Sequence, residues 1–217
     1  MTSRGAHLLK EIEAGTIPLS EILSALRASF GKCEESLTLP AGLWRLVTAN
    51  SHPALLAIKS TPNSAASLAL LHHILAYQLS VCNEAVALVD YTGRFLVAHL
   101  RNSCGPEDLR HLHVFQPTTH ISNITEAVKQ WMLYGKHESH DKKWISTIII
   151  GGAEVKDWLG MGRITITVGW KGWLNVVKEK KAYAEGVSLQ EAWDTKSVNE
   201  SNIWRAWCEE GEYRWQQ

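Results

Sequence analysis

Residues 145–150 end in three consecutive isoleucines, Ile148 to Ile150, and Gly151-Gly152 follow at once. A run this short and this apolar is a strand buried on both faces. Leu55–Ile58, Ala85–Val89 (ending at Asp90) and Leu112–Phe115 (closed by Pro117) are further short strands. Helical patterns lie between them. Leu68–Leu79 is apolar on nearly all sides, which places it between layers, and Ile124–Tyr134 stops at Gly135. Strands alternating with helices predict an α/β fold: a parallel sheet with helices on its faces.

The ends of the chain read differently. Ala6–Ala14 is a short amphipathic helix stopped by Gly15. Ser20 caps a second, with Ile22, Leu23, Leu26 and Phe30 at helical spacing before Gly31. Pro40 and Gly42 mark a turn, after which Leu43–Ala49 reads as a strand. Ile164–Val168 alternates Ile and Thr with period two; Gly169–Gly172 can turn, and Leu174–Val177 can return as an antiparallel partner. Ser188 caps a short helix through Trp193. The expected division is an N-terminal helical segment over 1–40, a core over 41–193 and a Trp-rich tail over 194–217.

At 217 residues the chain suits one domain with a sizeable core. Its formal net charge is zero, so no global basic field steers it to nucleic acid. Lys10, Glu11 and Glu13 interrupt any signal-peptide core, and the apolar runs are too short to span a bilayer. Cys33, Cys82, Cys104 and Cys208 are widely spaced and read as reduced thiols in cytosol or nucleus.

Between the Leu55–Ile58 strand and the Leu68–Leu79 helix lies Ser60-Thr61-Pro62-Asn63-Ser64-Ala65-Ala66-Ser67. Position and spacing are those of a phosphate-binding loop, G-x-x-x-x-G-K-[ST]. Ser60 and Ala65 replace the glycines, Ala66 replaces the lysine, and Ser67 alone survives. An alanine cannot neutralise phosphate charge, so nucleotide hydrolysis and a nucleotide cofactor are not expected.

With Val89-Asp90-Tyr91-Thr92-Gly93-Arg94-Phe95, Asp108–Phe115 and Trp144–Gly152, this loop gives the chain an order of elements that resembles the RecA-like recombinase core, in particular that of the eukaryotic recombinase paralogues. The likeness covers roughly residues 42–152. Under it, Asp90–Phe95 is similar to the family's Asp-x-Glu-Gly-x-Phe motif, with Thr92 where the catalytic glutamate stands. The Walker B aspartate falls on Gly151 or Gly152. Phosphate clamp, water activation and metal support are thus missing together. The other reading makes 60–67 a polar loop of some different α/β fold.

His111 and His113 point the same way on their strand and could bind metal with His72, His73 or His120, but no Cys or carboxylate cluster supports this; structural histidines are expected. Asp90 stands at a strand end either as a general base or as a cap on local backbone. No Gly-x-Ser-x-Gly elbow occurs. Basic residues cluster at Lys142-Lys143 and at Lys178, Lys180 and Lys181, with Arg163, Lys171, Trp170 and Trp173 nearby in sequence. Cations interleaved with aromatics can track single-stranded DNA; a solvated basic face is the alternative. Of ten tryptophans, six fall at or after Trp170, so Trp170, Trp173, Trp204 and Trp207 serve either a partner interface or the protein's own sheet edge.

The resemblance implies a non-catalytic, nuclear recombinase paralogue similar to the subunits of Shu-type complexes. Its partners would be other paralogues, a recombinase and single-stranded DNA, in a hetero-oligomer without membrane contact. Two alternatives stay open: an ATPase-dead RecA-like subunit of Elongator in tRNA modification, and a small α/β enzyme using Asp90 and a histidine.

Overall fold

The structure is a computed structural model that describes residues 37–50, 54–60, 65–117, 124–151, 158–179, 188, 190 and 203–216. The expected helices before residue 37, the helix after Ser188, and Gly152, Lys180 and Lys181 lie outside the described residues. No described helix is long and apolar enough to cross a membrane.

The described residues open with α1 (Ala41–Ala49), β1 (Leu55–Lys59) and α2 (Ala66–Ala76), the last continuing as a π-helical turn over Tyr77–Val81. β2 (Ala85–Asp90), the single turn α3 (Pro106–Leu109), β3 (Leu112–Phe115), α4 (Ile124–Tyr134), β4 (Trp144–Ile150) and β5 (Ile164–Gly169) follow. β6 (Asn175–Lys178), β7 (Ile203–Cys208) and β8 (Gly211–Gln216) end it. β1 to β5 form one five-stranded sheet in the order β1-β5-β4-β2-β3, with every pairing parallel. The expected α/β architecture with a parallel sheet is therefore present.

The chain runs from β1 out to β2 and β3, then turns back through β4 and β5. Because parallel connections are right-handed, the outward and returning crossovers lie on opposite faces. One core contains Leu70, Leu71, Ile74 and Leu75 of α2 with Val86, Leu88, Ile148, Ile150, Ile164 and Ile166. The other contains Val128 and Met132 of α4 with Ala87, Val89 and Ile149. β2 thus alternates between two apolar layers, and all six of its residues are buried.

Two sequence expectations are corrected. Leu43–Ala49 is not a strand: α1 buries Leu43, Leu46 and Val47, an i, i+3, i+4 set that matches the helical period. Ile164–Val168 does not form a hairpin with Leu174–Val177. It is β5, paired in parallel with β1 and β4 near the middle of the sheet. Its period-two pattern arose because its two faces meet different surroundings. Ile164, Ile166 and Val168 face the α2 core, while buried Thr165 donates to the Trp158 carbonyl at 3.0 Å.

Leu174 instead bridges to Ile58 in parallel, and β6 then enters a second, antiparallel sheet in the order β6-β7-β8. Gly172 enables this passage, because a Cβ there would overlap the Ile58–Lys59 backbone. The C-terminal hairpin is made by β7 and β8, inside the stretch read as a Trp-rich tail. Ala206 and Trp215 of that hairpin are buried in the α2-side core.

Candidate functional site

At the carboxyl ends of β1, β5, β4 and β2 the chain leaves a crevice of about 190 Å³. Among the described residues its lining is the apolar Leu68, Ile150 and Val168 with Ser60, Ser67, Thr92, Arg94, Gly151, Gly169 and Trp170. Open parallel sheets bind ligands outside their carboxyl edges, because successive loops diverge there.

Ser60 directly follows β1 and Ser67 lies in the first turn of α2. Their hydroxyl oxygens are 2.9 Å apart and hydrogen-bonded, which ties the two ends of the 60–67 loop together. Ser67 is buried. The first turn of α2 carries no acidic residue, and Ala65 at its N-cap makes no side-chain bond. Ala66, next to it, brings only a methyl group to the start of the helix.

Asp90 is buried and its carboxylate is fully committed. Oδ1 accepts from the Thr92 amide at 2.8 Å, the Thr92 hydroxyl at 2.7 Å and the Gly93 amide at 3.0 Å. Oδ2 accepts from the Phe95 amide at 2.8 Å. Four donors on two oxygens make Asp90 the organiser of the 91–95 turn, which is the capping role of the two that its strand-end position allowed. Gly151 lies opposite with φ +77°, and any Cβ there would overlap Thr92 Cγ2. Neither Thr92 nor Gly151 offers the crevice an acid.

No protein-family model and no curated protein matches the chain.

The basic residues grouped by sequence are separated in space. Lys142, Lys143 and Arg163 precede β4 and β5 at the amino edge of the sheet. Lys143 and Arg163 interact there with Glu84, whose carboxyl is raised by burial and partly restored by these cations. Lys171 follows β5 at the opposite edge, its Nζ 4.8 Å from the centre of the Trp170 ring. β5 has six residues, so roughly 20 Å of strand separates the two edges. Lys178 lies in β6, 5.8 Å from the Trp204 ring. One continuous basic track through Arg163, Lys171 and Lys178 is therefore not present.

Trp170, Trp173, Trp204 and Trp207 also divide. Trp173 and Trp204 pack against the α2-side core, so they cover this chain's own sheet. Trp170 is 75 % exposed and Trp207 43 %. Period-two pairing explains the split in β7, where Trp204 shares a face with Ala206 and Trp207 points the other way.

A polar chain along β3 went unseen in the sequence. Trp131 Nε1 donates to His113 Nδ1 at 3.2 Å, and His113 Nε2 contacts Ser139 Oγ at 3.0 Å. Ser139 Oγ also meets His111 Nδ1 at 2.9 Å. Because the indole can only donate, His113 Nδ1 must accept, which fixes the Nε2–H tautomer and makes Ser139 its acceptor. Burial, with His137 and His111 nearby, lowers His113 to about 4. His72 is likewise lowered to about 4 by burial and by His99. His73 bonds Tyr213 OH at 2.8 Å, and His120 is outside the described residues. Among the described residues, no three His, Cys, Asp or Glu side chains are grouped to hold a metal.

Proposed function

We propose that this chain is a non-catalytic RecA-like recombinase paralogue. In this reading it is a nuclear subunit of a heteromeric mediator complex that supports recombinase filaments on single-stranded DNA. The observation that carries the reading is the crevice. It lies at the carboxyl edge of a parallel sheet, where a nucleotide-binding relative would hold phosphate. There Ser60 and Ser67 bond each other, Ala66 stands in the lysine position, and Asp90 is consumed by the 91–95 turn. The fold element remains while the groups needed for phosphoryl transfer are gone. Such a subunit acts by the surface it presents to a filament.

Affinity purification of the tagged chain from its native cells, followed by mass spectrometry, tests this. Recovery of a recombinase together with other paralogues is the expected result. Recovery of Elongator subunits, or of no RecA-like partner, would overturn the assignment.

A further inference from the structure

Of the described cations expected to touch DNA, Lys171 directly follows a crevice-lining residue, Trp170, and holds its Nζ 4.8 Å from the centre of that exposed ring. Lys143 and Arg163 are engaged with Glu84 at the far edge, and Lys178 accompanies the half-buried Trp204. Trp170 lines the crevice, is 75 % exposed, and carries the Lys171 ammonium over its ring. Arg94 lines the same crevice, and none of its described lining residues is acidic. The lining by Leu68, Ile150 and Val168 is apolar, and the Ser60 and Ser67 hydroxyls already bond one another.

We propose that the crevice takes one base of a single strand of DNA, laid against Trp170, with the flanking phosphates beside Lys171 and Arg94. This deepens the mediator reading above and rests on it. A volume of about 190 Å³ is below that of pockets for larger ligands, roughly 300 Å³ and upward, but it suits one planar base. Stacking on an aromatic face with cations alongside is how single strands are held without sequence preference. A duplex keeps its bases stacked and has none to insert. An acidic peptide would use the cations and leave the exposed ring idle.

The test is fluorescence anisotropy of a labelled oligothymidine of about 20 nucleotides with the full chain at low salt. Trp170→Ala, at an exposed position, should raise Kd roughly 5- to 100-fold. Lys171→Gln should weaken binding and lower the salt slope by about 1. Gly169→Leu sets a branched side chain at the crevice lining, where a Cβ meets no atom within 4 Å, and should obstruct the crevice. Lys178→Gln and Lys143→Gln should leave affinity unchanged. An oligothymidine carrying 5-iodouracil should cross-link to the peptide that contains Trp170.

The proposal is overturned by any of three results: no binding by the full chain, affinity indifferent to both Trp170→Ala and Gly169→Leu, or equal competition by a duplex or a polyglutamate peptide. Partner recovery does not read the crevice. A recombinase complex recovered with no DNA binding would sink this proposal and leave the mediator reading standing. DNA binding at Trp170 without RecA-like partners would do the reverse.

Discussion

Ser60 Oγ and Ser67 Oγ stand 2.9 Å apart and hydrogen-bond across the base of the 60–67 loop. The bond ties the end of β1 to the start of α2 through the two hydroxyls. A lysine restored beside them would meet no acidic partner from Thr92 or Gly151. Ala66→Lys is therefore expected to release no phosphate from ATP above the level of the parent chain in a phosphate-release assay. Measurable turnover would show that 60–67 is not aligned as a degenerate phosphate loop.

Gln78 sits in the π-helical turn after α2 and is completely buried. Its Nε2 donates to the Thr38 carbonyl at 3.0 Å, and its Oε1 accepts from Ser146 Oγ at 2.7 Å. Gln78→Ala leaves both partners buried and unsatisfied and opens a cavity. A loss of about 2–4 kcal/mol is expected in urea unfolding, and about 1–2 kcal/mol for Ser146→Ala. Equal midpoints for Gln78→Ala and the parent would refute the network's role.

Asp90 offers a direct contrast between catalysis and architecture. Asp90→Ala strips four donors of their acceptor and should cost about 3 kcal/mol or more, with loss of native near-ultraviolet circular dichroism at moderate temperature. Asp90→Asn keeps Oδ1 for the Thr92 and Gly93 amides but sets an amide donor against the Phe95 N–H. It should fall between the two. If Asp90→Ala were as stable as the parent, the carboxylate would be free for another task.

Acid should weaken the fold through histidines. His72 and His113 are lowered from 6.5 to about 4 in the folded chain, His72 first by burial and then by His99, and His113 first by burial and then by His137 and His111. The unfolded chain therefore binds protons first. Stability should hold above about pH 6.5, fall as pH drops from there, and level off for these groups below about 4. Among the described residues His72 Nε2 has no hydrogen-bond partner, so a proton there would be a buried charge without one. For His72 the displacement corresponds to roughly 3 kcal/mol. Urea midpoints at neutral and acid pH, compared with His72→Leu, should show a shallower acid slope in the variant. Identical slopes would clear His72 of this role.

Several elements were legible from residues alone because their information is local. The isoleucines of β4, the all-round apolar α2 and the stop of α4 at Gly135 each announce a period or an end within a few residues. Their alternation was enough to predict a parallel sheet. α1 was misread because Leu43–Ala49 fits either period over so short a span, and burial of Leu43, Leu46 and Val47 selected the helix. The turn at Asp90 was half visible: its position at a strand end showed, while its four donors did not.

The sequence by itself determined where β2, β3, β4, α2 and α4 lie, because spacing and residue type are properties of neighbours along the chain. Only the tertiary structure decided that β5 joins the parallel sheet, that β7 and β8 form the hairpin, and that Arg163 and Lys171 stand at opposite sheet edges. Strand pairing is a choice among distant partners, settled by which faces can be buried together and which backbone groups can be paired. Eight residues of sequence separation become the length of a strand, and that distance puts Lys171 over the ring of Trp170 at one edge and leaves Arg163 with Glu84 at the other.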